Sequence, residues 1–497
     1  MTAKVQRALG FLVSVVLLAA GARPAAAVLP ESPREVTRTA SYAEVTAFLQ
    51  ELAKQPGVRV TDEGASVEGR RLWLVRVGPP EEETRWRILL MGQQHGTEVS
   101  GKDAILFLLR ELAQPGALPS GVAVWAIPML NPDGAEAGRR RNGADVDLNR
   151  DHLQLSQPET QALHRVARRI RPHVAVDLHE YTRDGEAWAA RGWHRWPLVT
   201  MDGLNHPLFD PGVVTAAERW VARARPVMEQ AGIPYDRYIL GGPPPEGEQR
   251  PSTLDADDAR NGLGMLGTLS LIVETGVLRR AENPDADLGE RVEATLILLR
   301  HLVAETGRQR SELSRVEASR AAPLPPFLPS NAFWGNVGLQ VSRFPVVERD
   351  SGQVREVATA NLMHQVVVKG TVPTPAGYAV LPEGAAVYAA LLERHGVPFD
   401  VLSVPQQVRA ERCRLVRVED EEDGLYQRYE GRQIVTRSPA VELELPAGSL
   451  RVTLGGDWAV RTAILLEPGM LYGLYQFPEF RKLAAPEGML PLLRVLH

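Results

Sequence analysis

The chain has 497 residues, of which 44% are hydrophobic and 24% are charged, ordinary values for a soluble globular protein. Its length predicts two or three domains with a large core. The net charge of -5 provides no basic surface, so we expect no nucleic-acid partner. Cys413 is the one cysteine, so the fold must hold without an internal disulfide.

The N-terminal residues have the layout of a secretory signal. Lys4 and Arg7 precede an apolar run over 8–20, and a run of three alanines ends at Ala27. This layout predicts cleavage after Ala27 and a secreted or periplasmic protein. An uncleaved membrane anchor is the alternative, but the apolar run is shorter than the ~20 residues that a span needs. We expect no membrane span after signal cleavage.

The next region alternates predicted helices and strands. An amphipathic pattern predicts a first helix that begins after the N-cap Ser41 and stops at Gly57. Apolar runs, which predict strands of a sheet covered on both faces, lie at 72–78, 87–92, 122–130, 173–178 and 269–276. Helical patterns lie at 102–113, 158–170 and 215–232. This alternation predicts a layered α/β domain.

A proline-rich stretch, 321–331, follows a last long helix and predicts a domain boundary. We therefore predict an α/β domain over 28–305, a helix end and linker over 306–331, and a mainly β domain over 332–497. Strand-like segments of the last domain are 364–372, 412–419, 440–448, 449–455 and 460–468, with one helix at 383–396. Nothing in this last domain indicates catalysis.

His95 and Glu98 lie just after a predicted strand, in "MGQQHGTEVSG". Catalytic zinc takes three protein ligands and leaves a fourth position for water, and residues at i and i+3 can reach one ion. Gly92 and Gly96 would let the backbone bend around the two ligands. Because an isolated HxxE is common by chance, the alternative is a polar turn whose side chains cap the next helix.

Two further strand ends carry candidate site residues. His179 follows the strand "HVAVDL", and Glu274 ends the strand "LSLIVETG". In open α/β sheets, ligands bind outside the carboxyl ends of strands, so these residues and His95 are expected to meet at one rim. Buried strand ends also carry such groups as hydrogen-bonding residues, which is the alternative for Glu274.

The loop "NPDGAEAGRRRNGADVDLNRDH", residues 131–152, is rich in turns and arginine. Its three consecutive arginines, Arg139 to Arg141, form a solvated basic patch under the simplest interpretation. Beside a zinc site, a guanidinium can instead bind a substrate carboxylate or stabilise an oxyanion.

Together these segments resemble the zinc metallocarboxypeptidases of the carboxypeptidase A and B type, over roughly 42–302. The HxxE pair, NPDG, RRN, DLNR, LHE and VETG occur in the order of that family. "GASVEGRRLWLVRVG" is similar to the family's strand before the zinc loop. The resemblance implies a mixed, mostly parallel twisted sheet flanked by helices, with the mainly β domain as an addition.

The same resemblance implies one zinc ion (Zn2+) per chain. His95, Glu98 and His179 match the three zinc ligands of the family. Asp147 matches the aspartate that orients the first zinc histidine, a support that metal-binding histidines generally need.

The remaining catalytic roles also come from the resemblance. Glu274 matches the general base that later acts as general acid, and Arg140 matches the arginine that polarises the scissile carbonyl. Asn149 and Arg150 match the pair that binds the terminal carboxylate of the substrate. The implied reaction is hydrolysis of a C-terminal peptide bond by a zinc-activated water, with Glu274 taking and returning a proton.

The sequence departs from the family pattern at one loop. The family carries a tyrosine on a mobile loop before the catalytic glutamate, but residues 245–260 contain none. Tyr235 and Tyr238 lie too early in the sequence to match it. Substrate closure is therefore expected to differ.

Charged and titratable residues around this loop have no assigned role. Asp255, Asp257 and Asp258 form either an acidic pocket that selects Lys or Arg, or a solvated acidic loop, which is the simpler interpretation. His152, His164 and His173 fall at no ligand position and are interpreted as structural or surface residues.

Three functions fit these features. The first is a zinc carboxypeptidase, and the second is a zinc deacylase or cell-wall (murein) peptide amidase that uses the same site. Both require a peptide or acyl-amino acid substrate with a free carboxylate. The third is a non-catalytic peptide-binding protein, which the complete set of ligand residues argues against.

Overall fold

The computed structural model describes residues 29–278, 285–423 and 427–496, without the side chains of 419–432. The predicted signal, residues 1–27, lies outside the described residues. Within the described part of the chain, no helix combines the length and the apolar character needed to cross a membrane.

The first half contains nine helices and eleven strands among the described residues. The strands are β1 (Val58–Ala65), β2 (Arg71–Val77), β3 (Trp86–Gly92), β4 (Val122–Ile127), β5 (Val174–Thr182), β6 (Trp193–Arg195), β7 (Val199–Gly203), β8 (Tyr235–Arg237), β9 (Leu240–Gly241), β10 (Gln249–Arg250) and β11 (Leu269–Val277). The helices are α1 (Tyr42–Leu52), α2 (Ser100–Leu112), α3 (Pro132–Glu136), α4 (Pro158–Ile170), α5 (Glu186–Ala189), α6 (Pro211–Gln230), α7 (Ala259–Gly264), α8 (Leu288–Arg308) and α9 (Arg310–Ser319).

An eight-stranded sheet organises this half, in the order β1-β2-β4-β3-β5-β11-β7-β8. The central strands β4, β3, β5 and β11 run parallel, whereas β1, β2 and β7 join by antiparallel pairing. Along β3, Ile88 and Leu90 pack into one apolar core, and Leu89 and Met91 pack into another. A sheet that is buried on both faces needs such continuous apolar strands. The predicted α/β class, with a mixed and mostly parallel sheet, is confirmed.

The first helix shows how local sequence sets an element. Ser41 caps α1, because its hydroxyl accepts from the Glu44 amide and the Glu44 carboxylate accepts from the Ser41 amide. Val45, Phe48, Leu49 and Leu52 form its buried face, at the spacing of an amphipathic helix. The helix ends at Leu52, before the predicted stop at Gly57.

The second half is mainly β, as predicted. Its strands are β12 (Phe327–Gly335), β13 (Ser342–Glu348), β14 (Val354–Thr359), β15 (Gln365–Pro373), β16 (Gly377–Val380), β17 (Asp400–Val401), β18 (Gln406–Asp423), β19 (Gln427–Arg437), β20 (Val441–Leu445), β21 (Leu450–Thr453) and β22 (Met489–Val495). Its helices are α10 (Pro382–His395), α11 (Ala459–Leu466) and α12 (Pro478–Arg481). A seven-stranded sheet forms its centre.

The strand expected at 460–468 is wrong, because α11 occupies most of that segment. All of its apolar residues from Ala463 to Leu466 are buried, and a short apolar run does not distinguish a buried strand from a buried helix.

The two halves share structure across the expected boundary. The strand β12 begins at Phe327, inside the predicted linker, and β13 pairs with β6 of the first half. Tyr378 and Leu391 of the second half belong to the same buried apolar cluster as Leu106 of α2. The second half is therefore packed against the first half rather than tethered to it.

Candidate metal centre and substrate cavity

His95 and Glu98 lie in the turn between β3 and α2, as expected from their position after an apolar strand. The turn passes close to α3, and a Cβ on Gly96 would lie 2.1 Å from the carbonyl carbon of Gly134. Only glycine fits such a backbone contact. Asn131 of the NPDG segment holds the turn, since its amide group donates to the carbonyl of Gln94 at 3.1 Å.

Neither His95 nor Glu98 caps α2, which was the alternative to metal binding. The first amides of the helix, those of Val99 and Ser100, donate to the carboxylate of Glu180 at 3.2 and 3.1 Å. Glu180 follows His179 on β5 and forms an ion pair with Arg291. A carboxylate near the N-terminus of a helix stabilises the helix. Because Glu180 fills this position, Glu98 is available for another role.

His179 and Glu274 lie side by side on the parallel strands β5 and β11, where they are register partners. His95, Glu98 and Glu274 line one cavity, and His179 forms a buried group with His95 and Glu98. The Nδ1 atoms of His95 and His179 are 3.1 Å apart. The carboxylate oxygens of Glu98 lie 2.9 Å from the first of these atoms and 2.7 Å from the second.

The three side chains fit a zinc ion. They form a buried group in which one ligand atom from each lies within 4.8 Å of the others. Zn–N bonds of about 2.0–2.1 Å place tetrahedral ligand atoms about 3.3 Å apart, close to the spacing of the two Nδ1 atoms. Two histidines and a glutamate are also a ligand set that zinc takes in hydrolytic enzymes.

The opposite ring nitrogens are held by carboxylates. His95 Nε2 lies 3.0 Å from Asp147, and His179 Nε2 lies 2.7 Å from Asp177. A carboxylate beside Nε2 keeps the proton on that nitrogen and leaves the Nδ1 lone pair for a metal. Asp147 was predicted, but Asp177 was missed. Its signal in the sequence is the Asp-x-His spacing, which puts both side chains on the same face of β5.

The electrostatics of the cluster reflect this pairing. Burial alone would raise the pKa of Glu98, but the adjacent His95 and His179 lower it. Burial would lower the pKa of His179, yet Asp177 and Glu98 hold it well above its usual value. The cluster therefore concentrates negative charge around the histidines, which suits a divalent cation.

Glu274 has a different environment. Burial raises the pKa of its carboxyl group to about 7, and His179 opposes that rise. Its Oε2 atom is buried and has no hydrogen-bond partner among the described residues. This orphaned oxygen differs from the satisfied strand-end group that was the alternative interpretation. A carboxyl group with a pKa near neutrality can both accept and donate a proton.

Tyr238 also reaches the site, although its position in the sequence is too early for the family tyrosine. It lines the cavity and hydrogen-bonds to the Glu274 carboxylate. Tyr235 lies elsewhere, with its hydroxyl donating to the carbonyl of Val221 at 2.9 Å. No sequence signal separated the two tyrosines, because β8 ends between them and only the fold decides which one faces the cavity.

The predicted catalytic residue Arg140 and the predicted substrate-binding residues Asn149 and Arg150 line the cavity. Arg140 donates to Asp147 at 3.0 Å and to Glu98 at 3.2 Å, which holds its guanidinium beside the metal ligands. Arg150 donates to the carbonyl of Asn149 at 2.6 Å. The side chain of Asn149 accepts from the Ala259 amide at 2.8 Å.

The acidic residues of 255–258 are buried, so the solvated-loop interpretation is wrong. Asp258 accepts from Arg260 at 2.8 Å and from the Asn261 amide at 2.7 Å, where it caps α7. Asp255 accepts from Thr253 at 2.8 Å. Burial raises the pKa of Asp255 and of Asp257.

The three histidines predicted to lie outside the ligand set, His152, His164 and His173, are buried, so the surface interpretation is wrong and the structural one holds. His152 Nε2 lies 2.7 Å from Gln94 Oε1, and the Gln94 amide group donates to Asp177 at 3.2 Å. His164 stacks behind His152, with their ring nitrogens 3.0 Å apart. His173 lies near the start of β5, where its Nδ1 accepts from the Arg87 amide.

The cavity has a volume of ≈ 580 Å³ and opens at the carboxyl ends of the central strands. His95, Glu98, Glu274 and the arginines line it together with Leu240, Ile272, Ser252 and Thr253. It is large enough for the terminal residues of a peptide, which is typical of the size of small-molecule sites.

Comparison with known proteins agrees with this geometry. Residues 45–183 match the family model described as zinc carboxypeptidase. The chain is 24% identical over 402 residues to carboxypeptidase 2 of Trichophyton equinum, covering 77% of this chain and 72% of that protein. It is 30% identical over 200 residues to carboxypeptidase 2 of Trichophyton tonsurans, covering 38% of this chain but only 36% of that relative.

Among solved structures, carboxypeptidase A from Helicoverpa armigera matches with a TM-score of 0.45 and 18% identity, covering 59% of this chain and 79% of that chain. The family match contains His95, Glu98, Asp147, Asn149, Arg150 and His179. Residues 45–183 of the chain therefore match the zinc carboxypeptidase family model, and the resemblance stated from the motifs is confirmed.

Proposed function

We propose that this protein is a zinc metallocarboxypeptidase with one zinc per chain, which hydrolyses C-terminal peptide bonds. The observation that carries the proposal is the convergence of His95, Glu98 and His179 in one buried cluster beside Glu274. A zinc ion held by these three side chains would act as a Lewis acid towards the substrate carbonyl and water.

The side chains around the ligands suit the remaining steps. Glu274, with a pKa of about 7 before metal binding, would take a proton from the attacking water and return it to the leaving amine. Arg140 lies beside the ligands, where its guanidinium would stabilise the negative charge that develops on the carbonyl oxygen. Arg150 and Asn149 would bind the terminal carboxylate of the substrate.

Substrate class and location are part of the proposal. An acyl-amino acid or a murein peptide with a free carboxylate would meet the same residues, so a deacylase or a murein peptide amidase is the alternative. A non-catalytic peptide-binding protein would not need the buried Oε2 atom of Glu274, which has no hydrogen-bond partner among the described residues. Export to the periplasm or the exterior is proposed from residues 1–27 alone.

The test combines metal analysis with product identification. The purified protein should contain one zinc per chain and release single C-terminal residues from peptides, identified by mass spectrometry. Glu274→Gln should abolish at least 99% of the hydrolysis while the zinc content stays the same, because general base catalysis supplies about 10²–10⁴-fold. Glu159→Gln removes another buried carboxyl with a raised pKa, outside the cavity, and should remain active.

Other outcomes would decide against the proposal. Cleavage of acyl-amino acids or muropeptides but not of unmodified peptides would establish the alternative enzyme. A protein that binds no zinc under any loading condition would contradict both enzymes.

A further inference from the structure

The loop between β9 and α7, residues 242–258, forms one wall of the cavity. We call it the pocket loop. Its residues Ser252, Thr253 and Asp258 line the cavity together with His95 and Glu98. Under the proposed function, this wall contacts the end of the peptide. The loop has little regular structure of its own, since its one strand, β10, has two residues.

The first part of the pocket loop is held by the second half of the chain. The side-chain amide of Asn361 donates to the carbonyls of Pro245 and Glu246, at 2.8 and 3.2 Å. The hydroxyl of Thr359, itself buried, donates to the same Pro245 carbonyl at 3.0 Å. These donors satisfy loop carbonyls that a surface loop normally leaves to water.

A short parallel bridge adds two backbone bonds. The Gln249 amide donates to the carbonyl of Asn361 at 2.9 Å, and the Met363 amide donates to the carbonyl of Gln249 at 2.7 Å. Gln249 is fully buried at this junction. The loop thus pairs with residues 361–363 in the manner of a strand added to an edge.

The second part of the loop is held at the cavity wall itself. The indole of Trp334, on β12, donates to the carbonyl of Ser252 at 2.9 Å. The amide of Ser252 donates to Asp202 on β7 at 3.2 Å. Leu254 of the loop packs against Ala332 and Leu471 of the second half. Ser252, which lines the cavity, is therefore bound both by the central sheet and by the second half.

We infer that the second half, through Trp334, Thr359 and residues 361–363, positions the pocket loop, so that the cavity wall is formed before substrate binds. The expected consequence is an effect on substrate affinity and on selection of the terminal residue, and this consequence rests on the proposed function. Asn361 and Trp334 act as positioning residues, because they bind the loop backbone and do not line the cavity.

Asn361→Asp tests the inference, since it keeps the size of the side chain and removes both donors to the loop. Asn336→Asp is the matched control. Asn336 also donates to two carbonyls, those of Gln340 and Ala360, but both belong to the second half. Both variants should be compared as full-length, zinc-loaded proteins, with Trp334→Phe as a second loop variant that keeps an aromatic ring and loses the donor.

Hydrogen exchange measured by mass spectrometry reports the loop directly and needs no activity. We expect the amides of 242–256 to exchange about tenfold faster in Asn361→Asp and Trp334→Phe, and unchanged in Asn336→Asp. Where peptides are hydrolysed, KM should rise about tenfold with kcat and zinc content nearly unchanged.

Unchanged exchange in both loop variants, or equal acceleration in Asn336→Asp, would overturn the inference. A loss of kcat or zinc without a rise in KM would also overturn it, because the effect would then be a general loss of structure. If the parent protein hydrolyses no peptide, the proposed function fails, while the exchange experiment still decides whether the second half holds the loop.

Discussion

The two sides of the cavity are built by different means. The metal-ligand side consists of residues 95–98, 147–150 and 177–179, which follow or end strands of the central sheet or lie in a loop bound to them. The pocket loop, 242–258, has two residues of strand and takes hydrogen bonds from residues 334–363 of the second half. The metal-ligand side is therefore formed by residues of the first half alone, whereas the pocket loop is held by residues of both halves of the chain.

This difference predicts which functions change separately. Carboxylates behind the histidines should control zinc affinity without altering the choice of substrate. Contacts of the pocket loop should control substrate affinity without altering zinc affinity. The following changes separate these effects or would show that the division is false.

The largest effect is expected for Arg150→Gln, on the metal-ligand side but away from the zinc. Charge-assisted hydrogen bonds to a carboxylate are worth about 1.5–3 kcal/mol, so kcat/KM on peptides with a free C-terminus should fall about 100-fold. The same peptides with an amidated C-terminus should be poor substrates of both proteins and show little difference between them.

Arg141→Gln is the control for this experiment. Arg141 also borders the cavity, but it pairs with Asp145 of its own loop at 3.6 Å. Its substitution should change kcat/KM less than twofold. An equal loss in both variants would mean that general positive charge, and not a specific carboxylate site, attracts the substrate.

Asp177→Asn should weaken zinc binding about 10- to 100-fold, because it removes the carboxylate that orients His179. The measurement is competition with a chelator at fixed pH, followed by activity at saturating zinc. Asp202→Asn is the matched change on the neighbouring strand β7. It removes a buried aspartate that binds the pocket loop through Ser252 and should leave zinc affinity unchanged. Weaker zinc binding in both variants would contradict the separation of the two sides.

The metal-ligand side could largely be predicted from the sequence, and the pocket loop could not. His95, Glu98 and His179 adjoin apolar strands, and the parallel arrangement of such strands brings their carboxyl ends to one rim. Asp177 could also have been found, since it lies two residues before His179 on the same strand face. The sequence features that identify these residues, apolar strands and short spacings, lie within a few positions of them.

The pocket loop was misread for two reasons, one local and one distant in the sequence. Asp255 and Asp258 looked like a solvated acidic loop, yet Arg260, Asn261 and Thr253 satisfy them inside the protein. The hydrogen bond from Trp334 to Ser252 spans more than eighty residues and leaves no local pattern. The strand prediction for 460–468 was wrong because a helix that is buried on all sides, such as α11, lacks the periodicity that identifies a helix.

A terminal-residue preference is predicted from the contacts of Asp258, the acidic residue of the pocket loop that borders the cavity. Asp258 borders the cavity, but both of its oxygens already accept from Arg260 and the Asn261 amide. Leu240 and Ile272 supply apolar surface nearby. We expect peptides ending in Leu or Met to be cleaved about tenfold faster than peptides ending in Lys or Arg, since a cation would lack a partner.

A peptide series that differs only in its last residue measures this preference. Preference for Lys or Arg, lost in Asp258→Asn, would show that the carboxylate reaches the substrate in spite of its internal partners. The pocket loop would then select by charge and not by shape.

The smallest effect concerns a contact between the second half and the metal-ligand side, at the end of α10. His395 Nε2 lies 2.9 Å from the carbonyl of Leu153, which follows the Asn149–Arg150 pair. Burial holds the pKa of His395 well below its usual value. Below about pH 6.5 the unfolded chain therefore binds a proton that the folded protein does not, so the free energy of unfolding decreases as pH falls. One such histidine contributes up to about 1.4 kcal/mol per pH unit below that point.

Replacing this histidine with a side chain that cannot titrate isolates its contribution. His395→Gln can keep a donor to Leu153, and its free energy of unfolding between pH 7 and pH 5 should decrease by about 1 kcal/mol per unit less than that of the parent protein, measured by denaturant unfolding. An identical pH dependence in the two proteins would mean that His395 is protonated in the folded state. The contact between α10 and the metal-ligand side would then have to tolerate a buried charge.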